Sequence, residues 1–135
     1  HELMNKNPFS SQRYEIAKKN VVNLKEVLKS GDLDHFISIT ESEALMIHSL
    51  MLSSNPSYIL MKPNTLKVIS KVTEFRSETK LPLCFTLDAG SNVHLLYPNN
   101  IKNKVSDFID TELANYCSSN KYIKDKVGDG PKKIT

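Results

Sequence analysis

The segment LPLCFTLDAGSNVHLLYP, residues 81–98, restricts the fold more than any other part of the chain. Leu83, Phe85 and Leu87 alternate with Cys84, Thr86 and Asp88; beyond a polar turn, Val93, Leu95 and Tyr97 alternate with His94 and Leu96. A period of two marks a strand with one buried face, so the segment predicts strand, tight turn, strand. The turn, Asp88-Ala89-Gly90-Ser91-Asn92, sets a carboxylate at a strand end beside small residues. Gly90 is expected there at positive φ and at a close backbone approach. A carboxylate projected from rigid backbone suits a catalytic role, and Asp is equally at home capping an ordinary hairpin turn. The residues of the turn leave both readings open.

Helical periods dominate on either side. After a break at Asn7-Pro8, Ala17, Val21, Leu24 and Leu28 recur at three- and four-residue steps. They predict a helix over 11–29 with that stripe in the core, ended by Ser30-Gly31. Asp32 is placed to cap a second helix over 33–52, with Phe36, Thr40, Ala44, His48 and Met51 or Leu52 on one face. Thr40 and Glu43 have capping-box spacing, so a division into 33–39 and 41–52 is one expectation. His48 on the apolar face reads as a satisfied core or interface histidine, or as a residue lining a site. Pro63 and Asn64 open a third helix, Asn64 as its cap, with Val68, Val72 and Phe75 or Leu66, Ile69 and Thr73 as the buried stripe. A last helix over 102–116 offers Val105, Phe108, Ile109 and Leu113 to the core. Residues 122–127 are compatible with an edge strand, 128–131 with a turn and Lys132-Lys133 with a polar tail. Several helices and one hairpin, without strand–helix alternation, imply α+β: helices packed on one face of a small antiparallel sheet.

Composition removes several function classes. The 135 residues are enough for one domain with its own core, and 39% apolar content is that of a globular chain. The net charge is +3 and the lysines are scattered, which favours a solvated surface over a nucleic-acid interface. No apolar run approaches the roughly 20 residues of a membrane span, and HELMNKNPFSS lacks the pattern of a signal peptide. Cys84 and Cys117 form no CxxC pair and are expected as reduced thiols of a cytoplasmic protein. His1, His35, His48 and His94 show no metal-ligand spacing, and neither GxxxxGK[ST] nor GxGxxG is present.

FTLDAGSNVHLLY, together with ESEALMIHSLMLSSNPSYILM upstream, resembles the C-terminal domain of the diphosphomevalonate (mevalonate pyrophosphate) decarboxylase family, within the GHMP kinase superfamily. The resemblance runs from about His1 through the GDGP near the end. In that family a DAGPN-type turn carries the catalytic aspartate, and Asp88 is the matching position; Ser91 stands where many members have proline.

The resemblance implies a ferredoxin-like domain over 1–135, with one sheet strand contributed from upstream of His1. It implies an ATP-dependent reaction in which mevalonate 5-diphosphate gives isopentenyl diphosphate, carbon dioxide, ADP and phosphate in isoprenoid biosynthesis. ATP and Mg2+ would be held mainly by an N-terminal domain that this chain, opening on histidine, lacks. Asp88 is then the one catalytic residue expected here, and the fragment alone is expected to be inactive. A homodimer is implied for the full-length enzyme, with Met46, Met51 and Met61 as the only hint in the residues. The alternatives are a GHMP-family small-molecule kinase acting on a mevalonate derivative and a non-catalytic interaction module. Kinases of the superfamily typically carry a glycine-rich turn where this chain has DAGSN.

Overall fold

The computed structural model describes residues 7–128 and Gly130. The HELM start, Asp129 and Pro131 of the expected terminal turn, and the Lys132-Lys133 tail lie outside the described residues. Three long helices come first: α1 (Ser10–Ser30), α2 (Leu33–Leu52) and α3 (Pro63–Thr79). The hairpin follows as β1 (Cys84–Leu87) and β2 (Val93–Leu96), antiparallel, with Thr86 opposite His94 and Leu87 opposite Val93. A short 3-10 turn then leads into α4 (Lys102–Phe108), which continues as a π-helical turn (Ile109–Leu113) and a 3-10 turn (Ala114–Tyr116). The architecture is the α+β arrangement read from the sequence, with α2 and α3 against the hairpin and α1 lying outside on α2.

The core closes between these layers. Leu83, Phe85 and Leu87 of the first strand segment meet Ala44 of α2, Val68 and Val72 of α3, and Val105, Phe108, Ile109 and Leu113 after the hairpin. Phe75 and Phe108 stack with ring centroids 4.2 Å apart, joining α3 to α4. Ile109 and Leu113, at the two ends of the widened turn, are both buried.

Helix ends follow sequence chemistry at three of the expected places. Gly31 takes the left-handed conformation (φ 74°) and donates its N–H to the Val27 carbonyl at 2.9 Å, closing α1. Asp32 caps α2, its carboxylate accepting from the His35 amide at 3.1 Å. Pro63 stands in the first turn of α3. Asn64, however, is not the cap. The cap residue is Lys62, whose amide donates to Thr65 Oγ1 at 3.1 Å, and Asn64 Nδ2 instead reaches the Tyr116 carbonyl at 2.9 Å. Proline's preset φ starts the helix two residues earlier than an Asn64 cap would.

Three further expectations are corrected. The stripe of α1 is not core: Val21 and Leu28 are 55% and 63% exposed, and only Ser10 of this helix is buried. Its inner face carries Arg13 and Asn20, drawn toward α2 by Glu43, with Arg13 Nη2 2.6 Å and Asn20 Nδ2 2.7 Å from the carboxylate. The same contact explains why α2 runs unbroken through Thr40. Glu43 is bound across to α1, and Glu41 is bound to Arg76, so neither turns back to cap a second start. No strand forms over 122–127, where Ile123 and Val127 stand almost fully exposed. Of the methionines Met46, Met51 and Met61, Met51 is 3% exposed and Met61 packs against the core.

Candidate active site at the Asp88 turn

Asp88 follows β1 directly, where the strand leaves the core. Leu87 is 5% exposed, yet the Asp88 side chain is 91% exposed. Asp88 lies one residue beyond the end of β1, on the side of Thr86 rather than that of Phe85 and Leu87; on that side burial falls from Cys84 through half-buried Thr86 to exposed Asp88. Opposite Thr86 on the same outer face stands His94, diagonal to Asp88. Its Nε2 lies 3.5 Å from Asp88 Oδ2, an ion pair when the imidazole is protonated. The carboxylate thus faces solvent and an imidazole rather than the amides of its own turn.

The backbone of the turn is held from inside. The Asp88 carbonyl accepts from the Gly90 amide at 2.7 Å, which tightens the chain about Ala89. It also accepts from His48 Nε2 at 3.0 Å, a side chain from the middle of α2 that is only 2% exposed. At the other end, Thr65 Oγ1 donates to the Ser91 carbonyl at 2.7 Å; Thr65 is 2% exposed. His48 is therefore the satisfied histidine that its apolar face implied, and its partner belongs to the candidate site.

Gly90 departs from expectation. It lies outside the left-handed region, and a Cβ built there would meet nothing within 4 Å. The turn closes without positive φ because its curvature is imposed by hydrogen bonds to the Asp88 and Ser91 carbonyls.

Thr65 and His94 carried no functional expectation. A signal for His94 was available in the hairpin register, which puts it diagonal to Asp88. None was available for Thr65, because its contact with Ser91 joins residues 26 positions apart. Among the described residues no three His, Cys, Asp or Glu side chains cluster to hold a metal. Both cysteines are free. The larger surface concavity, about 280 Å3, lies elsewhere, between Phe75, Thr79, Lys104 and Glu112. It is shallow and its charges are mixed, whereas the turn offers a solvent-facing carboxylate beside an imidazole, on backbone held by hydrogen bonds. The chemistry therefore points to the turn.

Residues 4–134 match the family model of the mevalonate 5-diphosphate decarboxylase C-terminal domain. Among solved structures, a mevalonate diphosphate decarboxylase from Legionella pneumophila is 29% identical with a TM-score of 0.77, covering 84% of this chain and 36% of that one. The mevalonate diphosphate decarboxylase of Staphylococcus aureus is 25% identical (TM-score 0.75; 82% of this chain, 33% of that one). That of Enterococcus faecalis, 22% identical with a TM-score of 0.78 over 85% of this chain and 36% of that one, shares the fold. Curated proteins show no match in sequence. The chain spans about a third of the length of these solved relatives.

Proposed function

Because the chain belongs to the family of mevalonate 5-diphosphate decarboxylase C-terminal domains, we propose that it serves an enzyme that decarboxylates mevalonate 5-diphosphate at the expense of ATP, with Asp88 as its reactive carboxylate. The products of that reaction are isopentenyl diphosphate, carbon dioxide, ADP and phosphate. The observation that carries the assignment of Asp88 is its carboxylate, 91% exposed beside His94 on a turn whose carbonyls are bonded to two core helices. An aspartate that merely capped the turn would direct its oxygens at turn amides.

A tertiary alcohol is a poor nucleophile toward a phosphoryl group. A carboxylate within hydrogen-bond reach orients the hydroxyl and accepts its proton as the oxygen bonds to phosphorus. Such assistance is worth about 10²–10⁴-fold, less when the transition state is loose and positioning matters more than deprotonation. The residues described here offer no cradle for ATP or Mg2+: they contain no phosphate loop and no metal-ligand cluster. A solved relative in complex with MVAPP, AMPPCP and magnesium supports the reading that an intact enzyme of this kind binds all three. In our reading an N-terminal domain supplies those contacts, the chain alone is inactive, and the intact cytoplasmic enzyme is a homodimer, which light scattering would report.

Asp88→Asn in the intact protein is the decisive test. Asparagine keeps the shape and one acceptor but loses the charge and the proton-accepting oxygen. We expect kcat to fall by about 10²–10⁴-fold while affinity for mevalonate 5-diphosphate changes little, since the interaction lost is one made as the hydroxyl reacts. A rate within threefold of wild type in a folded variant removes Asp88 from the chemistry.

A further inference from the structure

We propose that His48 and Thr65 are positioning residues that aim the Asp88 carboxylate by gripping the peptide carbonyls at the two ends of its turn. The proposal rests on Asp88 being the reactive group. Both side chains are 2% exposed, and both make a polar contact in a place that is otherwise apolar core. A leucine at 48 or a valine at 65 would fill a similar volume without a polar group to satisfy. A polar group buried there is tolerated because it is bonded, and it leaves its partner carbonyl fixed.

The consequence for Asp88 follows from which torsions stay free. Its amide side is tied to the β1–β2 ladder through Leu87, paired with Val93. Its carbonyl accepts from both His48 Nε2 (3.0 Å) and the Gly90 amide (2.7 Å). Three residues on, the Ser91 carbonyl is held by Thr65 Oγ1 at 2.7 Å, and the Thr65 hydroxyl accepts in turn from the Lys62 amide at 3.1 Å. What remains mobile is the two side-chain torsions of Asp88. The grip does for this turn what a positive-φ glycine would otherwise do, since Gly90 is not left-handed. The two helices providing it, α2 and α3, both pack on β1, so grip and strand belong to one rigid body.

A carbonyl only accepts, so His48 carries its proton on Nε2. The contact holds the turn by donation from Nε2 alone, so positioning asks for no proton transfer between His48 and the reacting atoms.

The test uses the intact enzyme with mevalonate 5-diphosphate and Mg-ATP, and six variants. His48→Leu and Thr65→Val remove the donors at nearly constant volume; His48→Gln and Thr65→Ser keep one. We expect the first pair to lower kcat by about 10–100-fold, the cost typical of a misplacement of about 1 Å, with KM within about threefold. The second pair should recover most of the rate, with a pH profile of wild-type shape. In an Asp88→Asn background, adding His48→Leu should cost less than about threefold, because positioning acts only through Asp88. A two-bond 1H–15N spectrum should show His48 as the Nε2–H tautomer, a readout independent of turnover. If Asp88→Asn is inactive while folded His48→Leu and Thr65→Val turn over at the wild-type rate, the positioning role is wrong and the reading of Asp88 stands. If Asp88→Asn turns over normally, both fall. Should His48→Leu not fold, Thr65→Val against Thr65→Ser carries the comparison. Loss of a limb of the pH profile in His48→Gln would overturn positioning in favour of proton transfer by His48.

Discussion

Cys84 is the most strongly perturbed titratable side chain at residue scale. It is 1% exposed, and its thiol is pushed up to about 12, first by burial and then by the nearby Glu41 charge, against a smaller opposing effect of Arg76. Only the thiolate reacts readily with alkylating reagents, so Cys84 should be inert in the folded protein near neutral pH. Cys117 is half-buried. We expect iodoacetamide at pH 8 to label Cys117 and to reach Cys84 only after unfolding, with peptide mass spectrometry as the readout. Rapid labelling of Cys84 in the native protein would contradict the packing around β1. His48 and Thr65 make the same point about single residues: each is polar, each is buried, and what each does is given by the carbonyl it meets.

At the scale of the element, the start of α2 is a small pH-dependent device. Asp32 caps the helix and its other oxygen lies 2.6 Å from His35 Nδ1. The bond to His35 holds the Asp32 carboxyl below its ordinary 3.8, and the bond to Asp32 raises His35 above its ordinary 6.5. A raised histidine stabilises the fold fully below pH 6.5 and loses that contribution as pH climbs through the folded value. A lowered carboxyl contributes fully above pH 3.8 and loses its share as pH falls through the folded value. The cap is therefore strongest between about pH 3.8 and 6.5. An NMR titration should place the His35 midpoint above 6.5, and Asp32→Ala should bring it back. The pair is exposed, so added salt should shrink the effect. A His35 midpoint unchanged by Asp32→Ala would show that the contact does not persist in solution. Elsewhere the elements kept their type while their details moved: α2 stayed whole across Thr40, and the last helix widened at Ile109.

Across the whole molecule, one ion pair ties three elements together. Arg76 of α3 meets Glu41 of α2 through both oxygens, Nη1 at 2.6 Å and Nη2 at 2.9 Å, and Nη1 also donates to the Leu83 carbonyl at 2.7 Å. Glu41 in turn accepts from the Phe85 amide of β1 at 3.2 Å. The contact lies on the strand that ends in Asp88, so it steadies the body on which the site is built. Arg76→Leu should cost about 2–4 kcal/mol, because it leaves a mostly buried carboxylate unpaired and a carbonyl without its donor. Urea melts of the variant measure this, and a loss under about 0.5 kcal/mol would place the pair among surface bridges of little consequence. The apolar residues along α1, among them Tyr14, Val21 and Leu28, remain exposed at this scale. Periodicity identified a helix there but not what its outer face meets.

Local chemistry determined much of this protein from the sequence alone. The hairpin, the three long helices, Gly31 and Asp32 at their ends, and Asp88 at the tip of a strand all follow from contacts within a few residues. Short-range periodicity and capping report such contacts directly. Tertiary structure alone decided the rest: that Glu41 and Glu43 bind across to Arg76 and Arg13, and that the stripe on α1 stays exposed. It also decided that the Asp88 turn is shaped from His48 and Thr65 rather than by Gly90. Those contacts join residues 26 to 40 positions apart. Hydrogen bonds between such distant groups depend on how helices and strands are laid against one another, and no local pattern of residue types encodes that.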